Sequence, residues 1–94
     1  MITRDGNQLR LHGTITVSGV AALCESGKQQ FGDGDLIIDL SAVTEVDSSA
    51  LSLLFEWRRE ARRRNTKLLF QNLPASLHSL ATLYGVSDLI ASSA

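Results

Sequence analysis

Residues 36–64 read LIIDL, SAVTEVDSSALSLL and FEWRREARRR in succession, from Leu36 to Arg64. The first five form a short apolar run, and its two isoleucines with the flanking turn residues favour a buried strand. A helix follows. Asp47 is its start signal, because a carboxylate there accepts from the orphan N–H groups of a first turn and sits at the positive end of the helix dipole. Ser48 and Ser49 fall on that first turn. A strand that delivers two hydroxyls to a helix N-terminus, with apolar residues behind them, is a presentation device.

Wound at about 100° per residue, Ser48–Arg64 separates into two arcs. Ala50, Leu51, Leu53, Leu54, Trp57 and Ala61 face a core; Ser52, Glu56, Arg59, Glu60 and Arg63 face away. Phe55 lies at the margin beside Arg58 and Arg62. There it either completes the core or, flanked by arginines, offers a protein contact.

Before this stretch, residues 7–17 alternate Leu9 and Leu11 ahead of Gly13 with Ile15 and Val17 behind it. The period of two predicts a hairpin within this segment, two strands with one buried face. Val20, Ala21, Leu23 and Cys24 stand at helical spacings, with Ser18 as their cap and an end near Gly32. The cluster from Gly32 to Asp35 is a turn. After the long helix, Asn65–Thr66 turns into KLLFQ (67–71), another short strand, and Pro74 opens a last helix. Leu77, Leu80, Ala81 and Tyr84 supply its stripe, His78 lies on its flank and Gly85 stops it. Val86, Leu89 and Ile90 form an apolar tail, and the final ASSA is expected to fray. The predicted order is β, β, α, β, α, β, α, which implies an open mixed sheet of about four strands with parallel pairs joined by crossover helices.

Ninety-four residues with 44% hydrophobic and 20% charged content predict one globular domain over residues 1–94. No apolar run approaches the roughly 20 residues of a membrane span, and the N-terminus lacks a signal peptide's apolar core, so a cytoplasmic protein is expected. One cysteine and two distant histidines offer neither a disulfide nor metal-ligand spacing. Net charge is −1, yet six of the nine basic residues lie between Arg58 and Lys67 against Glu60 alone, giving that segment +5. The three cations and nine carboxylates elsewhere leave −6. Such a patch suits anionic lipid, nucleic acid or an acidic protein face; the stronger reading is a solvated face favoured by the dipole of the helix end. Few aromatics and an acidic remainder speak against nucleic acid.

Catalytic readings fail on their own terms. Gly27–Lys28 lacks the Ser or Thr and the earlier glycine of a phosphate loop. Asp39 and Asp47 lack a third convergent ligand. The window V-D-S-S-A around Ser48 and Ser49 is no nucleophile elbow. No enzyme, metal or cofactor is expected.

The order of elements, the strand running into DSSAL (Asp47–Leu51) and the later KLLFQN resemble the STAS domain, the sulfate-transporter and anti-sigma-factor-antagonist family, over essentially the whole chain. The family signature at the helix start has glycine where this chain has Ala50, which leaves slightly less room for a partner's backbone. The resemblance implies a non-enzymatic binding module whose contact surface is Asp47, Ser48, Ser49, Ser52, Phe55 and Arg58. One branch, the small STAS subunit of Mla-type phospholipid ABC transporters, implies docking on the ATPase subunit at the inner membrane, in support of lipid transport and outer-membrane asymmetry. LHSLATLYGVSDLI (Leu77–Ile90), Tyr84 above all, is similar to that subunit's last helix, and the chain ends soon after it as that subunit does. The other branch, the anti-sigma-factor antagonists, implies a serine-kinase partner and phosphorylation of Ser48.

Overall fold

A computed structural model describes residues 2–32 and 34–85. β1 (Ile2–Asp5) and β2 (Gln8–Ile15) pair antiparallel across the two-residue turn Gly6–Asn7. α1 (Val20–Lys28) crosses to β3 (Leu36–Val46), which lies parallel to β2. α2 (Ser49–Arg63) crosses to β4 (Leu68–Gln71), parallel to β3, and α3 (Ala75–Leu83) follows. The sheet order is β1-β2-β3-β4, so the predicted succession of elements and the mixed sheet hold.

The hairpin is not where the alternation placed it. Residues 8–15 form one strand, and its partner is the preceding segment, whose polar run Ile2–Asp5 carries almost no apolar signal. Gly13 does not turn the chain. It sits inside β2 at φ 88°, a conformation that L side chains avoid, where the β2–β3 register shifts between Gly13 and Thr14. Val17 lies beyond β2 and is exposed rather than buried. β3 is also longer than its apolar run: SAVTEV continues the strand with only partial burial, so period-based reading stopped early.

Alternate residues of β2, β3 and β4 face the helices. Leu9, Leu11, Leu36, Ile38, Leu40 and Phe70 join Leu51, Leu54, Trp57 and Leu77 in one buried cluster. Burying a leucine of this kind stabilises by roughly 1.5–3 kcal/mol, which makes the helical stripe the main reason α2 stays on the sheet. The opposite sheet face is polar around Asp39, whose carboxylate accepts from Ser41 N (2.9 Å), Asn72 Nδ2 (2.9 Å), Gln8 Nε2 (3.2 Å) and Arg10 Nε (3.2 Å). Ser41 stands where β3 has an extra residue relative to β2, between the pairs Arg10–Asp39 and His12–Ala42. The Asp39 side chain thus satisfies a backbone donor at an irregularity of the ladder. Burial pushes this carboxyl up, but the bonds from Asn72, Ser41 and Arg10 outweigh it and hold it at about 2.

Glu60 departs from the helical-wheel assignment. It is buried, with Arg64 Nε at 2.6 Å and Arg63 also bonded to it, and those two guanidiniums hold its carboxyl below the usual range. Ser18 does not cap α1: Gly19 takes that position without a side-chain bond, and the Ser18 hydroxyl lies 3.1 Å from that of Thr16. Tyr84 follows α3 instead of completing its stripe and is exposed, whereas Leu77 and Ala81 are buried as expected. Val86, Leu89, Ile90 and the final ASSA lie outside the described residues.

Candidate functional site

β2 and β3 run parallel, so both end on the same side of the sheet, and Asp47 N donates to Ile15 O at 3.1 Å to finish the pair. The Asp47 carboxylate then holds two chain segments at once. Oδ2 accepts from Val17 N at 3.0 Å; Oδ1 accepts from Ser49 N at 2.9 Å and from the Ser49 hydroxyl. The Ser49 hydroxyl chiefly, and then the N–H groups of Val17 and Ser49, hold the Asp47 carboxyl below its ordinary range. Asp47 therefore performs the capping expected of it, although the residue at the formal cap position is Ser48, which makes no side-chain capping bond.

This arrangement divides the two serines. Ser49 is half-buried and its hydroxyl is committed to Asp47. Ser48 is exposed, and no hydrogen bond joins its side chain to the described residues. Ser52, one turn on, is exposed, and Phe55 follows half-buried against the core. At helical spacing Ser48, Ser52 and Phe55 share one outward stripe. Phe55 thus does both things the sequence left open: it packs on the core and, with Arg58, Arg59 and Arg62, lines a hollow of about 210 Å³. Arg58 sits apart from the serines, its guanidinium carbon 5.0 Å above the centroid of the Phe70 ring.

Ala50 needs a different account from the one its signature position suggests. It is 0% exposed, so its methyl group faces the core and does not narrow a partner's approach. Val17, at 76% exposure, is the residue that sequence reasoning missed. Its N–H is fastened to Asp47, which sets an apolar side chain beside the start of α2; its alternation with Ile15 pointed the wrong way because β2 ends first. An open groove of about 580 Å³ adjoins it, lined by Thr14, Thr16, Ser18 and Ser26 of β2, α1 and their connection and by Gln29 and Gln30.

Among the described residues no group of three or more His, Cys, Asp or Glu side chains could hold a metal ion. His12 shares a 3.3 Å hydrogen bond with Thr3 on the hairpin, and His78 is exposed on α3; neither is bonded to Ser48 or Ser49. No helix among these residues is long and apolar enough to cross a membrane.

The family model described as "Mlab, STAS domain" matches residues 1–91. No match was found among curated proteins. Among solved structures the fold is similar to the anti-sigma factor antagonist SpoIIAA in its unphosphorylated form, at 14% identity and a TM-score of 0.74, over 100% of this chain and 87% of that one. It is also similar to Mglu in two structures, one of the native form, at 16% and 15% identity and TM-scores of 0.62 and 0.60. These cover 80% and 78% of this chain but only 20% and 22% of Mglu, a much longer chain. The sheet order, the helix pinned by Asp47 and the match over nearly its whole length lead to one conclusion: the chain belongs to the STAS domain family, in the group described as Mlab.

Proposed function

We propose that this chain is a non-enzymatic accessory subunit of an Mla-type phospholipid ABC transporter, docking on the ATPase subunit through the start of α2. The observation that supports it most is the exposed stripe Ser48, Ser52 and Phe55 on a helix whose first turn is locked by Asp47. A rigid stripe loses little conformational freedom when a partner covers it, so a small contact suffices. Asp47 and Ser49 build this surface from beneath, Ser48 and Ser52 touch the partner, Phe55 supplies apolar area and Arg58 a charged rim. The match to the group described as Mlab favours this reading, which places the protein at the inner membrane only through its partner.

A second reading, an anti-sigma-factor antagonist with a serine-kinase partner, is favoured by the likeness to SpoIIAA and by the unengaged hydroxyl of Ser48. A phosphate of nearly two negative charges at this helix start is tolerated by the helix and alters any complementary face. Affinity purification of the tagged chain from its own cells, with mass spectrometry of the partners and of the Ser48–Ser49 peptide, separates the two. Recovery of an ABC ATPase and its permease with unmodified serines supports the transporter subunit. Recovery of a small kinase with phosphate on Ser48 overturns it in favour of the antagonist.

A further inference from the structure

The six cations between Arg58 and Lys67 do not behave as one solvated face. Arg63 and Arg64 are both spent on Glu60, and Arg59 pairs with Glu56 at 3.0 Å, whose other oxygen is held by Lys28 at 3.3 Å. Arg58, Arg62 and Lys67 are left with no carboxylate partner among the described residues. These three line one trough of about 490 Å³, together with Ala61, Leu68 and Leu69. Arg58 is fixed by its stack on Phe70, and its Nε–H is buried without an acceptor. Burial, and then the neighbouring Arg62, weaken its hold on its proton relative to an ordinary arginine, the environment in which a counter-anion is favoured. Among the described residues strand β4 ends the sheet on this side, so the backbone along the trough is a sheet edge there. Leu68 is buried and Leu69 half-buried, so the lining reaches both sides of the strand.

We propose that this trough is a docking groove for an extended acidic segment of a partner protein, which lies along the edge of β4 and sets its carboxylates on Arg58, Arg62 and Lys67. Backbone pairing to a free edge gives such a segment affinity, and alternate side chains give it specificity. A membrane fits these observations less well. Three cations near an anionic surface raise association by about two orders of magnitude, and the −6 on the rest of the chain opposes it. The large apolar side chains that the described residues expose, Val17, Leu83 and Tyr84, do not line the trough to enter a lipid layer. The proposal stands whichever partner covers the start of α2: Arg58 and Arg62 also line the hollow beside Phe55, whereas Lys67 belongs to the trough alone.

The test uses the full chain and a fluorescein-labelled peptide of alternating glutamate and valine, followed by anisotropy and by backbone amide resonances. Saturable binding is expected that weakens with salt, shifts the amides of Leu68–Gln71, and falls about tenfold or more in the double variant Arg62→Glu/Lys67→Glu. Both positions are exposed, and the neutral pair Arg62→Gln/Lys67→Gln, expected to give an intermediate loss, serves if charge reversal unfolds the chain. Equal binding of the glutamine–valine peptide, or undiminished binding by the variants, overturns the proposal. So does binding to phosphatidylglycerol vesicles that depends on Arg62 and Lys67 while the peptide fails to bind; that result makes the trough a lipid-surface site.

Discussion

The indole of Trp57 rests on Gly27, and its Nε1–H donates to the Cys24 carbonyl at 3.1 Å. A Cβ at position 27 would stand 2.8 Å from Nε1 and closer still to the ring carbons. Gly27 therefore fixes how near α1 approaches α2. Gly27→Ala gains up to about 1 kcal/mol of helix propensity but overpacks a fully buried ring at a cost of roughly 1–3 kcal/mol. The expected net effect is a loss of stability of about 1 kcal/mol or more, read as a lower urea midpoint at unchanged slope.

Asp39 gives the chain an acid-sensitive term. Its carboxyl lies at about 2 when folded against 3.8 ordinarily, a lowering that the donor bonds impose against burial. A depressed folded value means that the stabilisation is complete above the unfolded value and is lost as pH falls from 3.8 towards 2. The shift corresponds to about 2 kcal/mol. Asp39→Asn is thus expected to be less stable at pH 7, with the gap to the wild type closing between pH 4 and 2, measured as urea midpoints across that range.

Ser48 and Asp47 should separate binding from folding. Ser48→Glu leaves the melting temperature nearly unchanged, since an exposed carboxylate suits a helix start, but under the proposed docking it weakens recovery of an ABC ATPase. Asp47→Ala releases Val17 and Ser49 together and lowers the melting temperature clearly. A Ser48→Glu protein that recovers the ATPase normally removes Ser48 from the contact surface.

Leu54 lies in the core on the other side of the same helix. Leu54→Ala is expected to cost roughly 2–5 kcal/mol by leaving a cavity, while the fraction that remains folded at low temperature binds its partner as the wild type does. Equilibrium unfolding and binding at that temperature are the two measurements.

Legibility in the sequence followed burial. Where one face is buried and the other wet, as in Leu51, Leu54 and Trp57 or in Leu36, Ile38 and Leu40, the period of apolar residues located the element. Where tertiary contacts decide, it did not. Glu60 lies on the polar arc of the wheel, yet Arg63 and Arg64, at the end of α2 and just past it, neutralise it under cover, which no one-dimensional pattern distinguishes from a solvated glutamate. β1 depends on pairing with β2 and has little apolar content of its own. At the candidate site, the role of Asp47 was readable from capping chemistry. The exposure of Val17 was not, because it follows from that carboxylate meeting a residue thirty positions away, and the difference between Ser48 and Ser49 was not, because two adjacent hydroxyls look alike until the backbone turns one of them back onto Asp47.

That thirty-residue span has a consequence for assembly. Neither the hairpin nor an isolated α2 can close the bond from Val17 to Asp47; it forms once α1 has crossed over and β3 has paired with β2. The exposed Val17 side chain and the start of α2 consequently come side by side only in the finished sheet, so a surface made of both is a property of the whole fold and of no single segment.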